Sequence, residues 1–239
     1  MCATDIKKNE LKPWLKECWV IPPKQNADFV CAMEDVLEVY QRHFTEDEVL
    51  VCMDETSKQQ VKETRVPLPS GVGQSAKYDY EYERNGVSNL FMLSAPLEGW
   101  RHVEVTDRHT KQDWAHLIKA LVDEHFPDKK IILVMDNLNT HKLGSLYATF
   151  EPAEARRIAE RLEIHFTPKH GSWLNMAEIE IGILTRQCLK RRIPDQDTLR
   201  IEIMAWEQRR NHEAVCVNWR FTTEDARIKL KSLYPSIQK

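Results

Sequence analysis

Two aspartates, each closing a short apolar run, are the residues whose types and spacing suggest chemistry. Asp54 follows Val49-Leu50-Val51-Cys52-Met53, and Asp136 follows Ile131-Ile132-Leu133-Val134-Met135. Runs of this length and β-branched content predict buried strands, with an acid at the carboxyl end of each. Ligand sites in open α/β sheets form beyond such ends. Acids on neighbouring strand ends repel and raise one another's pKa, a conflict that a divalent cation relieves. All-oxygen ligation favours Mg²⁺ or Mn²⁺ over zinc. Two such ions about 3.5–4 Å apart would clamp the attacking and leaving oxygens of an in-line phosphoryl displacement. Glu178 and Glu180 are candidates for a further ligand. They lie two residues apart on a predicted helix and point to nearly opposite sides, so only one can reach the same ions. Periodicity leaves that choice open. An Asp after a strand also serves as a turn former or helix cap, and the spacing alone does not separate a nuclease from a metal-dependent phosphatase.

The elements that must hold these acids follow from the hydrophobic pattern. Val30, Met33, Val36, Leu37 and Tyr40 repeat at helical spacing and predict a helix over 28–44. The first strand covers 49–53, and residues 60–75, with Pro67, Pro69, Gly71 and Gly73, read as a loop. Gly71-Val72-Gly73 lacks the G-K-[ST] ending of a phosphate loop, which excludes that nucleotide-binding motif. Tyr78, Tyr80 and Tyr82 alternate with acids, and Asn85-Gly86 predicts a tight hairpin turn into a strand over 87–93. A third strand is expected at 100–105. Thr110 and Asp113 form a capping-box-like start for a helix that buries Trp114, Leu117, Ile118, Leu121, Val122 and Phe126. The strand 131–135 follows, then a helix over 151–162, a short strand over 163–167, a helix over 173–189 and another over 197–210. That order predicts an α/β fold, a mixed sheet with helices on its faces.

Composition narrows the class. The chain has 239 residues, 42% hydrophobic and 30% charged, enough for one large domain with a sizeable core. No apolar run reaches the length of a membrane span, and the charged N-terminus lacks a signal-peptide core, so the expected location is cytoplasmic. Six cysteines, none in a C-x-x-C pair, argue against a zinc ribbon or a disulfide scaffold and read as free buried thiols. The net charge is -3, unevenly spread. Residues 1–48 hold 6 Lys+Arg against 10 Asp+Glu, 49–180 hold 16 against 20, and 181–239 hold 12 against 7. A basic end on an acidic body suits a protein that gathers metal at one place and phosphate at another.

Three ordered motifs carry a family resemblance. They are Val51-Cys52-Met53-Asp54-Glu55, Val134-Met135-Asp136-Asn137-Leu138-Asn139-Thr140-His141 and Thr167-Pro168-Lys169-His170-Gly171-Ser172-Trp173-Leu174-Asn175-Met176-Ala177-Glu178, with 41 residues between Asp136 and Glu178. Together they resemble the DDE transposases of the mariner superfamily, specifically the bacterial insertion-sequence group six-thirty, from about Lys7 to the C-terminal region. The resemblance implies an RNase H-like fold with a five-stranded mixed sheet and helices on both faces. It places the catalytic, metal-binding triad at Asp54, Asp136 and Glu178, the last through the wording W-L-N-x-x-E, which leaves Glu180 as an exposed or supporting charge. It implies two Mg²⁺ or Mn²⁺ ions. It also implies hydrolysis at transposon ends by water activated between Asp54 and Asp136, and then attack of the released 3′-hydroxyl on target DNA at TA dinucleotides. The expected partners are transposon-end and target DNA and a second copy of the chain, a homodimer that pairs two ends, with no membrane.

Other positions follow around that triad. Lys169 and His170, in the loop before the glutamate's helix, are placed to touch phosphate. Trp173 is a candidate for stacking or wedging, with packing at the helix start as its other role. Asn175, three residues before Glu178, is expected either to contact DNA or to orient the carboxylate. Lys190-Arg191-Arg192 forms a candidate phosphate patch, with a solvated face as its other reading, and Asn137 and His141 are candidates to support the carboxylates, with a satisfied structural histidine as the other reading of His141. Relatives carry N-terminal helix-turn-helix modules that recognise the ends, and none is legible here. Residues 1–28 read as a linker or arm, 29–215 as the catalytic domain and 216–239 as a C-terminal tail. End recognition is expected from a separate or frameshift-fused N-terminal domain, and end binding by this chain is expected to be weak. Two other readings remain at this stage: a catalytically silent remnant that binds DNA or an intact transposase, and an RNase H-like nuclease without strand transfer.

Overall fold

Alternation along the first apolar run decides how the core is divided. In the computed structural model, which describes residues 25–236, β1 spans Glu48–Glu63. Its Val49, Val51 and Met53 enter one buried cluster while Leu50 and Cys52 enter another on the opposite face. A strand apolar on both faces must be covered on both. The remaining strands are β2 (Tyr82–Ala95), β3 (Trp100–Thr106), β4 (Lys130–Met135) and β5 (Leu162–Phe166). They form one mixed sheet in the order β3-β2-β1-β4-β5. β1 runs parallel to β4, pairing Val49 with Ile131 and Cys52 with Val134, and β4 runs parallel to β5. β2 is antiparallel to both β1 and β3. This is the RNase H-like arrangement that the resemblance implies.

One face of the sheet is covered by α1 (Ala27–Gln41), α5 (Ala177–Leu184), α6 (Gln196–Glu213) and α7 (Thr223–Lys229). The other is covered by α2 (Lys111–Ala120), α3 (Leu143–Tyr147) and α4 (Pro152–Glu160). The expected capping box opens α2: Thr110 Oγ1 accepts from the Asp113 amide, and the Asp113 carboxylate accepts from the Thr110 amide. Such a cap is worth about 1 kcal/mol. The edge strand β3 is sealed by α6. Asn211 accepts from the Arg101 amide and donates to its carbonyl, and Glu207 accepts from the Val103 amide. Side chains thus satisfy backbone groups that would otherwise invite another strand.

Several boundaries differ from the expectations, each for a local reason. β1 does not stop at Asp54 but continues to Glu63, because its second half pairs with β2 as far as Tyr82. What ends near Asp54 is the parallel pairing with β4, whose last pair is Cys52 with Val134. Asn85-Gly86 makes no hairpin turn. It lies inside β2, opposite a slip in register between Gln59 and Val61, and Gly86 has φ +94. An Asn-Gly pair supplies the positive φ that a bulge needs as readily as one that a turn needs. The connection between β1 and β2 is residues 64–81, carrying isolated bridges Leu68–Lys77 and Gly71–Gln74. The expected helix over 173–189 is broken into a 3₁₀ turn Ser172–Leu174, α5 and a final wide turn Thr185–Leu189.

Residues 216–236, read from the sequence as a tail, carry α7 and pack into the α1 face. Ala226 and Leu233 are buried there, Trp219 meets Tyr40 edge-on with centroids 5.1 Å apart, and the Asn26 amide donates to the Leu233 carbonyl. The expected linker over residues 1–28 lies outside the described residues except for 25–28, which open α1 through the Asn26 cap. No helix among the described residues is long and apolar enough to cross a membrane.

Candidate active site

Asp54 lies two residues past the last parallel pair of β1 with β4, and Asp136 directly follows the last residue of β4. Both therefore stand at the crevice beyond the carboxyl ends of the central parallel strands, where open α/β sheets build their sites. Glu178 is exposed in the first turn of α5, which packs against β1 and β2. The alternation of β1 explains why Asp54 belongs to the α5 side: it shares the parity of Leu50 and Cys52, whose cluster holds the buried residues of α5.

The Asp54 carboxylate is held at both oxygens. Oδ1 accepts from the Glu55 amide at 2.8 Å, and Oδ2 lies 3.3 Å from Asn175 Nδ2. Burial pushes its pKa up to about 7; the Glu55 amide works against this, and the negative charges of Glu178, Asp136 and Glu55 add to it. A carboxyl crowded by like charge is one that a cation would stabilise in its ionised form.

Asn175, for which the sequence offered DNA contact or orientation of the Glu178 carboxylate, is buried and bonds instead toward Asp54. Its Nδ2 donates to the Met53 carbonyl at 2.7 Å, and its Oδ1 accepts from the Ala177 amide at 3.1 Å. One side chain thus ties the Asp54 strand to the start of the Glu178 helix. Its own backbone is extended, so it precedes the helix and does not share a helical face with Glu178. Tyr40 braces the same turn from α1, donating to the Leu174 carbonyl at 2.8 Å.

His141 is wholly buried. Its Nδ1 lies 2.7 Å from Asp136 Oδ1 and its Nε2 lies 2.6 Å from Glu55 Oε1. Burial alone would lower its pKa, but the bonds to Asp136 and Glu55 outweigh it and hold the imidazole up at about 9. Asn137 is exposed beside Asp136. Glu55 is a residue of this constellation that the sequence reading missed. The signal was present, since consecutive acids on a strand must face opposite layers, and Glu55 has the parity of Met53 and the α2 side.

Glu180 corrects an expectation. It is neither exposed nor beside the carboxylates but buried, accepting from Arg101 Nη2 and Arg210 Nη2, each at 3.1 Å. Trp173 is partly buried and packs edge-on against Phe221 with centroids 5.9 Å apart, which is its packing role. Lys169 and His170 are exposed in the loop before α5, where His170 has φ +65. The turn is tight: a Cβ on Gly171 would come within 2.5 Å of the Pro168 ring.

The expected patch at 190–192 is mostly spent internally. Arg191 pairs with Glu202, and Arg192 pairs with Glu63 while lying over the rings of Tyr78 and Tyr82 at 5.1 and 5.4 Å. Lys190 is exposed and has no ion pair among the described residues. These residues line a groove of about 690 Å³ beside Lys58, whose ammonium donates to the carbonyls of Leu189 and Arg191.

Among the described residues no three His, Cys, Asp or Glu side chains are placed to hold a single metal ion as they stand. The donor chemistry nonetheless suits Mg²⁺ or Mn²⁺. Mg²⁺ typically keeps several waters and takes only one or two carboxylates, and Asp54, Asp136 and Glu178 are hard oxygen donors in one zone of mutual repulsion.

Known proteins bear on this geometry. The family model described as DDE superfamily endonuclease matches residues 49–200. No curated protein sequence matches the chain. Among solved structures, the Mos1 transposase paired-end complex with left transposon end superposes with a TM-score of 0.55 at 13% identity, covering 88% of this chain and 64% of that one. The Mos1 mariner paired end complex with Mn gives 0.54 at 16% identity, covering 87% and 65%, and the Mos1 Strand Transfer Complex gives 0.58 at 13%, covering 98% and 69%. The chain therefore spans about 64% of the length of the first of these proteins. At such identities the likeness is one of fold, and it agrees with the RNase H-like sheet. Since the family match takes in both strand-end aspartates and the first turn of α5, and covers well over half of the sequence, the chain belongs to the DDE superfamily endonuclease family.

Proposed function

We propose that the chain is the catalytic domain of a DNA transposase, which hydrolyses a phosphodiester at an element end and transfers the freed 3′-hydroxyl to target DNA. The observation that carries the reading is Asp54, whose carboxyl is held up to about 7 by burial and by the negative charge of Glu178 and Asp136. A structural acid would be given a counter-charge, whereas this one is given three more acids, Glu178, Asp136 and Glu55. Asp54, Asp136 and Glu178 would hold Mg²⁺ or Mn²⁺, two ions by the family's pattern. The bound cations would polarise the phosphoryl oxygens and make the attacking hydroxyl more acidic.

The chain's own residues do the rest. Asn175 orients Asp54, His141 orients Asp136, and the turn at Gly171 sets the start of α5 and so the position of Glu178. Lys169, His170 and Lys190 are the exposed groups that would meet phosphate. The solved complexes with a transposon end, with Mn and with a strand-transfer product support DNA and a divalent ion as partners. Insertion at TA and a dimer that pairs two ends follow from the mariner resemblance.

The test supplies duplex DNA bearing a pre-cut 3′-hydroxyl end from the element's flanks, supercoiled target plasmid and Mg²⁺ or Mn²⁺. Wild type is expected to nick and to join the end to plasmid, and Asp136→Asn to lose about a hundredfold or more of both activities. Equal activity in the two proteins would overturn the assignment. Nicking without joining would reduce the reading to a nuclease.

A further inference from the structure

Asp136 begins a stretch without regular structure after β4, and its side chain is about one third exposed, yet one of its oxygens is fixed from inside the protein. Oδ1 lies 2.7 Å from His141 Nδ1, and the other ring nitrogen lies 2.6 Å from Glu55 Oε1. The ring thus bridges the two carboxyl groups, one at each nitrogen. The ring cannot swing away. It is 0% exposed, lies nearly parallel to Trp114 with centroids 6.1 Å apart, has Phe91 at 6.5 Å, and its backbone amide donates to the Leu138 carbonyl. Glu55, at the far end, also offers its amide to Asp54 Oδ1 at 2.8 Å. Glu55 and His141 together thus engage one oxygen on each strand-end aspartate. Asp136 Oδ2 accepts no hydrogen bond among the described residues.

An oxygen already engaged in a short hydrogen bond is a poor second donor to a cation. To offer both oxygens, Asp136 would have to leave His141 and strand a buried imidazole. The two common divalent ions respond differently to that restriction. Mg²⁺, and Mn²⁺ with it, suits octahedral sites built from single carboxylate oxygens and water, whereas Ca²⁺ takes six to eight oxygens and readily uses both oxygens of one carboxylate.

Building on the reading of the site as metal-dependent, we propose that His141, braced by Glu55, is a positioning residue that limits Asp136 to one ligating oxygen and so biases the site toward Mg²⁺ or Mn²⁺ and against Ca²⁺. His141 touches neither DNA nor the reacting atoms. It acts through Asp136.

The test measures ion binding and not turnover. Free Mn²⁺ is followed by its electron paramagnetic resonance signal as Mn²⁺ is titrated into the whole chain, and Ca²⁺ is then added as competitor. Wild type, Asp136→Asn, His141→Ala and Glu55→Ala are compared, each with a circular dichroism melt. The proposal expects a Mn²⁺ site that Asp136→Asn loses. It expects His141→Ala to raise the affinity for Ca²⁺ relative to Mn²⁺ by about tenfold or more, in line with the effect of outer partners on metal sites. Glu55→Ala is expected to shift the ratio the same way by less, and decides the matter if His141→Ala does not fold. An unchanged ratio in the folded variants would overturn the restraint while leaving the metal site standing. Absence of any Mn²⁺ site in wild type would overturn the metal-dependent reading and the restraint with it.

Discussion

Replacing Glu180 and Glu178 in turn separates the structural acid from the chemical one. Glu180 is 2% exposed and sits between Arg101 at 1% and Arg210 at 6%. Its Oε1 accepts from both guanidinium groups at 3.1 Å. Arg101 also donates to the carbonyls of Gly99, Arg210 and Val215, so its hydrogen bonds would largely survive loss of the carboxylate. Its charge would not be compensated. Removing one partner of a buried ion pair costs about 3–5 kcal/mol, chiefly because it strands the remaining charge. The Nε atoms of Arg101 and Arg210 already lack partners, so the network is imperfectly satisfied and the lower half of that range applies. For a chain of this size each kcal/mol moves the midpoint by about 2–4 °C, so Glu180→Ala should melt roughly 6–16 °C below wild type. Glu180→Gln, which keeps the shape and loses the charge, should fall between. Glu178→Ala changes an exposed residue and should stay within about 0.5 kcal/mol of wild type, while abolishing Mg²⁺-dependent nicking. The assay is a circular dichroism melt of all three variants beside the plasmid-nicking assay. A Glu180→Ala protein that melts with wild type, or a Glu178→Ala protein destabilised as much as Glu180→Ala, would refute the division of roles.

Two further outcomes follow from the charges. The folded-state pKa of Asp54 lies near 7, above the usual carboxylate range, so the fold favours its protonated form. That contribution to stability is fully present below about pH 4 and is lost as pH rises through about 7. In metal-free buffer Asp54→Asn should therefore show a higher urea midpoint than wild type at pH 8 and no advantage at pH 4, and Mg²⁺ should narrow the gap at pH 8; parallel curves across that range would refute the crowding at Asp54. DNA binding by the chain alone should show a shallow salt dependence, a log–log slope of magnitude below about 4, because of the exposed cations only Lys169, Lys190 and Arg191, the last paired with Glu202, stand in the segments read as meeting phosphate. A filter-binding series from 50 to 200 mM salt (about the range over which such slopes are read) that gave a slope near ~8 would show that cations outside those segments also meet DNA.

Much of the fold was legible because period and burial agree. The runs at 49–53 and 131–135 are apolar at every position, short and rich in β-branched residues, which together fit a strand covered on both faces. The Thr110–Asp113 box likewise fixed the start of α2 by a local mechanism. Signals that depend on a distant partner were not legible. Nothing near Asp54 tells that β1 continues to Glu63, since its second half is held by β2. Asn85-Gly86 carries the same positive-φ chemistry whether it turns a chain or bulges a strand. The break before α5 depends on Asn175 reaching the Met53 carbonyl across the sheet end. The basic last quarter of the sequence is partly neutralised for a related reason. Arg192, Arg210 and Arg227 meet Glu63, Glu180 and Glu34 from earlier segments, so part of the charge imbalance along the chain becomes pairing within the fold. At the site, the strand-end aspartates could be read from position and Glu178 only through resemblance. The layer that Glu55 faces was implied by strand alternation, whereas its bond to His141 and the burial of Glu180 depend on distant partners.

The two acids at the end of the parallel pairing explain why the site draws on both layers of the molecule. Because successive side chains on a strand face opposite ways, Asp54 turns to the α1 and α5 layer and Glu55 to the α2 layer. From the first layer, Tyr40 braces the turn that carries Asn175, and Asn175 holds Asp54. From the second, Trp114 backs His141, and His141 bonds both Asp136 and Glu55. Neither core alone fixes the pair of aspartates. A cavity opened at Tyr40 would loosen Asp54 and leave Asp136 in place, and one opened at Trp114 would do the reverse. The distance between the two carboxylates is thus set by the sheet that both cores clamp, a rigid separator suited to groups that repel until a cation lies between them.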